Sequence, residues 1–99
     1  INYLLGITKA MKNIGNDYLN QEDYQEARIY FEKGLEVCQK ADDKKGEAEN
    51  ILDIGFVHEK EGALEEALSA YQQSFLIGKS TPFPNISALA LKNIGNIYL

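Results

Sequence analysis

The chain has few of the residues on which covalent and metal chemistry depend. It contains one cysteine, Cys38, and one histidine, His58, so no internal disulfide can form and no cluster of metal ligands is expected. A catalytic cysteine needs a histidine partner in the fold. Cys38 instead falls on the apolar face of a predicted helix, where it is interpreted as a small buried hydrophobic residue. We therefore expect no enzymatic activity and no cofactor.

Basic residues and long apolar runs are also scarce. The formal net charge is −5, so the chain offers no positive field for nucleic acid. No apolar run reaches the ~20 residues needed to cross a bilayer, and no signal peptide opens the sequence. We expect a cytoplasmic protein without membrane insertion. Because the sequence starts at Ile1, inside a predicted helix and without a methionine, we also expect it to be a fragment of a longer protein.

Repetition is the strongest feature that the sequence does have. Residues 12–19 return as residues 92–99, and the two segments differ only where Ile97 replaces Asp17. Midway between them stand Ile54-Gly55 and His58, which gives a period of 40 residues. A fixed period of this length is typical of a solenoid built from one repeated supersecondary unit.

The apolar residues between these landmarks follow helical spacing, and no alternation of strand length is present. We predict an all-α chain of about five helices in antiparallel pairs. Residues 42–47 are predicted to form a charged connector, and residues 80–85, with two prolines, a loop. The fifth helix is expected to begin at about Asn85 or Ile86. The single domain 1–99 divides into repeats of about 8–47 and 48–87, with a partial third repeat at about 88–99.

Glycine recurs in the middle of the predicted helices, where it costs about 1 kcal/mol relative to alanine. This recurrence implies that a neighbouring helix passes too close for a β-carbon. The expected counterpart is a small alanine twelve residues later, with an aromatic residue filling the space beside it. The residues to which we assign such structural roles are Gly15, Gly55, Gly95, Ala27, Ala67, Tyr18, His58, Phe31 and Tyr71.

These residues resemble the tetratricopeptide repeat. The first copy consists of Met11, Ile14, Gly15, Tyr18, Ala27, Phe31 and Gly34. The second consists of Ile51, Ile54, Gly55, His58, Ala67, Tyr71 and Ser74, and the third begins with Leu91, Ile94, Gly95 and Tyr98. The period of 40 exceeds the usual ~34 residues, and the proline that commonly closes the second helix is missing. Long-period repeats of this kind resemble those of kinesin light chains, Pins-type adaptors and bacterial signalling proteins.

The resemblance implies a right-handed solenoid with two full repeats and the first helix of a third. It also implies a non-enzymatic scaffold that binds a protein or peptide in a concave groove lined by the first helix of each repeat. An alternative is a peptide-sensing regulatory module of a larger signalling protein. Self-association through the last helix, whose final turn is apolar, is a further possibility.

Polar residues flank the Ile-Gly pair on the side expected to face this groove. The candidate partner-binding residues are Lys12, Asn13, Asn16, Asp53, Phe56, Lys92, Asn93 and Asn96. Lys9, Asn20 and Glu49 fall on the same side. Asparagine both donates and accepts, so it suits the backbone of an extended peptide, as in long-period members of the family. The alternative is that these amides are only solvated or bond the adjacent helix.

Some family members grip a carboxylate tail with a clamp of lysines and asparagines. Lys12 and Asn16 match its first two positions, but Asp53 and Leu89 stand where an asparagine and a lysine are needed. A carboxylate tail is therefore not the expected ligand. The mixed signs of Lys12, Asp53 and Lys92 instead favour a ligand that carries both charges.

Overall fold

A computed structural model of the chain describes residues 2–98, and five α-helices account for nearly all of them. The helices are α1 (Asn2–Asn20), α2 (Tyr24–Lys40), α3 (Lys44–Lys60), α4 (Leu64–Lys79) and α5 (Pro84–Tyr98). No strand occurs within the described range. The all-α prediction is confirmed.

The first three connections are the same tight turn. Each has three residues, and the middle one adopts a left-handed conformation, with φ of 61° at Glu22, 54° at Asp42 and 82° at Gly62. The N–H of the third residue then donates a hydrogen bond, 2.9 Å long, to a carbonyl in the last turn of the preceding helix. This arrangement satisfies carbonyl groups that a helix end leaves unpaired. It also reverses the chain, so consecutive helices run antiparallel.

Two helix starts differ from the sequence-based prediction. The Asp43 carboxylate accepts the N–H of Gly46 at 3.0 Å and caps α3, which therefore begins at Lys44. The prediction of a charged connector over residues 42–47 is thus wrong for residues 44–47, which are helical. Helix α5 begins at Pro84. Proline is well suited to this position because the N–H that it lacks would have no partner in the first turn of a helix.

Two clusters of buried side chains stand out in the core of the described chain, and each joins one helix pair to the next helix. Ala27, Phe31 and Val57 form the first, at the junction of α1, α2 and α3. The second contains Leu52, Ala67, Tyr71 and Ala90, which come from α3, α4 and α5. Because each pair relies on the following helix to bury its apolar face, the helices stack as a solenoid, as predicted.

Two of the three recurring glycines lie against aromatic rings. A β-carbon on Gly15 would lie 2.6 Å from a ring carbon of Phe31, and one on Gly55 would lie 2.8 Å from a ring carbon of Tyr71. Ala27 and Ala67 are fully buried, and the rings of Phe31 and Tyr71 occupy the space that the glycines leave. A β-carbon added at Gly95 would meet no neighbouring helix or side chain within 4 Å in the part of the chain that the structure describes.

The helices separate into an inner and an outer row. Helix α1 approaches α3, and α3 approaches α5, whereas the described residues of α2 and α4 make no close approach to each other. The inner helices are thus α1, α3 and α5, and the surface that they form together is called the inner groove below. The chain as a whole is a slab of 40 × 32 × 16 Å.

Candidate functional site

All eight predicted partner-binding residues belong to the inner helices. Asn13, Lys92 and Asn96 are exposed to solvent. The half-buried members of the set are Lys12, Asn16, Asp53, Phe56 and Asn93. The structure pairs two of them, Lys12 of α1 with Asp53 of α3. This pair bridges two neighbouring inner helices.

The ion pair between Lys12 and Asp53 is incomplete. Lys12 Nζ lies 3.4 Å from Asp53 Oδ2, which is long for a charge-assisted hydrogen bond. That oxygen is buried and accepts no hydrogen bond of good geometry from any described residue. Burial raises the pKa of the Asp53 carboxyl to about 6, Lys12 lowers it in part, and the negative charge of Glu49 raises it further. At neutral pH the fold therefore carries a partly desolvated carboxylate on this surface.

A cleft of about 550 Å³ adjoins this ion pair between α1 and α3. Its walls include Lys9, Lys12 and Glu49 from the predicted groove face. A smaller cleft of about 310 Å³ lies between α1 and the end of α2 and shares Cys38 with the first. Burial raises the pKa of the Cys38 thiol to about 11, so the thiol stays protonated and unreactive at neutral pH.

The four groove asparagines have polar groups that the fold does not use. Within residues 2–98, the side-chain hydrogen bonds of asparagine belong to Asn50 and to none of Asn13, Asn16, Asn93 and Asn96. The interpretation that these amides bond the adjacent helix thus finds no support in the described contacts. Their donors and acceptors face solvent or a ligand.

Asn50 is a buried polar residue that the sequence analysis did not single out. Its Nδ2 donates to the carbonyl of Gly46 at 2.9 Å, and its Oδ1 would lie 2.8 Å from a β-carbon on Gly34. Gly34 therefore makes room for Asn50 where α2 packs on α3. In the next repeat the same two positions hold Ser74 and Ala90, both fully buried. In one repeat the α2 position is small and the α3 position large, and in the next repeat the difference is reversed. A comparison of residues 40 positions apart in the sequence would have shown this.

Two other predicted residues lie near the end of α3. The ring of Phe56 is half-buried, and Lys60 Nζ lies 5.1 Å from its centroid. His58 Nδ1 lies 3.7 Å from Glu61 Oε1, to which Arg28 of α2 also pairs at 3.0 Å. The pair between Arg28 and Glu61 links α2 to the end of α3, and His58 lies beside it. No group of three metal-ligating side chains occurs among residues that the structure describes.

Antiparallel helix pairs, stacked with an inner and an outer row, define an α-helical repeat protein. The family model of the tetratricopeptide repeat matches residues 7–77, and the chain belongs to this family. No curated protein matches it. Tetratricopeptide repeats generally mediate protein–protein interactions. Over the described range, no helix combines the length and the hydropathy that crossing a membrane requires.

Proposed function

We propose that the chain is a non-enzymatic interaction module that holds an extended peptide segment of a partner protein in the inner groove. The observation that carries this proposal is the set of asparagines on α1 and α5, whose side chains make no hydrogen bond within the described chain. An amide that donates and accepts matches the N–H and C=O of a peptide backbone. Such a set binds a segment through its main chain and tolerates different side chains.

The spacing of the inner helices suits an extended ligand. Packed helices lie about 8–10 Å apart, and an extended chain advances about 3.3 Å per residue. A peptide that crosses the groove therefore meets a new inner helix about every three residues. Asn13, Asp53 and Asn93 hold the same repeat position on the three helices and would contact it in turn. The cleft beside Lys12 gives room for one of its side chains.

The same groove would also serve the alternative function, a peptide-sensing module of a larger signalling protein. An effector domain joined to the repeats would favour that alternative, because binding would then have an output to control. We keep the general proposal because it needs only the groove. A cytoplasmic location and the long-period subtype remain part of the proposal.

Self-association through α5 is a second candidate activity. Leu91 is 53% exposed and Tyr98 is 73% exposed, so α5 presents apolar side chains to solvent. Light scattering over a concentration series tests this candidate. A molar mass that rises with concentration supports it, and a monomer at every concentration contradicts it.

Selection from a random peptide library tests the groove. We expect the selected peptides to lose about 100-fold in affinity when Asn13, Asn16 and Asn93 are replaced by alanine, because three net hydrogen bonds of about 1 kcal/mol each are removed. The matched control replaces three exposed amides of the outer helices, Gln25, Gln72 and Gln73, by alanine. Unchanged affinity in the asparagine variant, or equal losses in both variants, would place the binding site elsewhere.

A further inference from the structure

The middle position of the groove differs in kind from its neighbours. Asn13 and Asn93 are neutral amides, and the equivalent residue on α3 is the carboxylate of Asp53. A neutral amide can bind any peptide backbone, whereas a half-buried carboxylate gains most from a positive charge. This single substitution within the repeat makes the groove selective at one point.

Lys12 compensates Asp53 only in part. The 3.4 Å separation leaves Asp53 Oδ2 without a hydrogen bond among the described residues, although that oxygen is buried. The Lys12 side chain is 39% exposed, and the four-carbon stem of a lysine can adopt other rotamers, so the ammonium can move aside. An incoming guanidinium can bind both oxygens of a carboxylate at once, which a lysine ammonium does not do.

The other charges around the cleft do not replace this missing partner. Asp43 caps α3, and Lys45 Nζ lies over the ring of Phe83 at 4.6 Å, so both have contacts of their own. Lys9 and Glu49 have opposite charges and line the same cleft. Glu49 also adds negative potential at Asp53. An acidic ligand would have to compete with Asp53 for Lys12, while the chain's net charge of −5 attracts a basic one.

We propose that Asp53 determines specificity in the groove by binding an arginine or lysine side chain of the partner segment, which displaces Lys12. This inference rests on the proposed function of the groove and names the class of its ligand. Lys12 then acts as an internal counter-ion that keeps Asp53 paired until the ligand arrives.

An NMR titration at pH 8, where Asp53 is ionised, tests the inference with two capped peptides. The peptides share the same uncharged residues and differ only at the centre, where one has arginine and the other glutamate. We expect the arginine peptide to shift the amide signals around Asp53 and the glutamate peptide to leave them unchanged. Asp53→Asn should weaken binding of the arginine peptide about tenfold, the equivalent of one charge-assisted hydrogen bond. Lys12→Gln should strengthen it, because the competing cation is gone.

The opposite signs of these two effects separate recognition from a structural role, because a purely structural ion pair would make both variants lose affinity. No binding of the arginine peptide at millimolar concentration, preference for the glutamate peptide, or weaker binding by Lys12→Gln would overturn the inference. The proposed function would survive that outcome if library-selected peptides still depended on Asn13, Asn16 and Asn93. If the selected peptides did not depend on these asparagines, the proposed function itself would be contradicted.

Discussion

Replacing Gly55 by alanine tests the packing account. The new β-carbon would lie 2.8 Å and 2.9 Å from two ring carbons of Tyr71, and 3.1 Å from the β-carbon of Ala70. Because Tyr71 is fully buried, its ring cannot swing into solvent to make room. Overpacking of this kind costs about 1–3 kcal/mol, while alanine regains about 1 kcal/mol of helix propensity. We expect Gly55→Ala to be neutral to about 2 kcal/mol less stable than the wild type.

The chain supplies a matched control in Gly95, which follows an isoleucine just as Gly55 does. A β-carbon added there would meet no neighbouring helix or side chain within 4 Å among the described residues. Gly95→Ala should gain up to about 1 kcal/mol from helix propensity alone, so the two variants should differ by about 1–3 kcal/mol. For a domain of this size, each kcal/mol of difference in stability shifts Tm by about 4–8 °C. Thermal unfolding followed by circular dichroism measures it. Equal Tm values for the two variants would refute the account of ring-against-glycine packing.

Three further predictions concern single contacts. Tyr71→Phe removes the hydrogen bond of 2.7 Å to Glu59 and should cost about 1–2 kcal/mol in urea unfolding; no loss would show that the bond contributes nothing. Glu22→Gly should stabilise the chain by about 1 kcal/mol in the same assay, because glycine adopts without strain the left-handed φ that Gly62 already has, and a destabilised variant would contradict this. Asp53→Asn should be about 1–3 kcal/mol more stable than wild type at pH 7 and equal to it below pH 4. The reason is that the pKa is raised from 3.8 to about 6, so the stability that the protonated carboxyl provides is lost as pH rises through 6; a pH-independent difference would refute this.

The repeat pattern made the helices predictable because each landmark recurs with the period. The contact between Gly55 and Tyr71 was harder to predict, since spacing along one helix does not tell which atom of the next helix fills a gap. The start of α3 was misplaced for a related reason. Residues 42–47 were predicted to form a connector, although Gly46 is the third residue of α3 and its N–H donates to the Asp43 carboxylate that caps the helix.

The candidate groove residues were predictable as a face, but their electrostatics were not. The sequence places Lys12 and Asp53 on inner helices of adjacent repeats without showing that they pair. It also does not show that Asp53 Oδ2 is buried without a hydrogen bond in the described chain. Such features depend on the rotation and separation of two helices, which the helical period alone leaves undetermined. The same limit applies to Asn50 and Gly34, whose fit across α2 and α3 depends on a helix crossing.

The most direct test of the central claim is an NMR map of where a library-selected peptide binds. The account predicts that the largest amide shifts fall on the inner helices α1, α3 and α5, around Asn13, Asp53 and Asn93, and that α2 and α4 change little. Shifts concentrated on the solvent-facing side of α2 and α4 would contradict the account. In that case the inner groove would not be the binding surface, although the fold would remain as described.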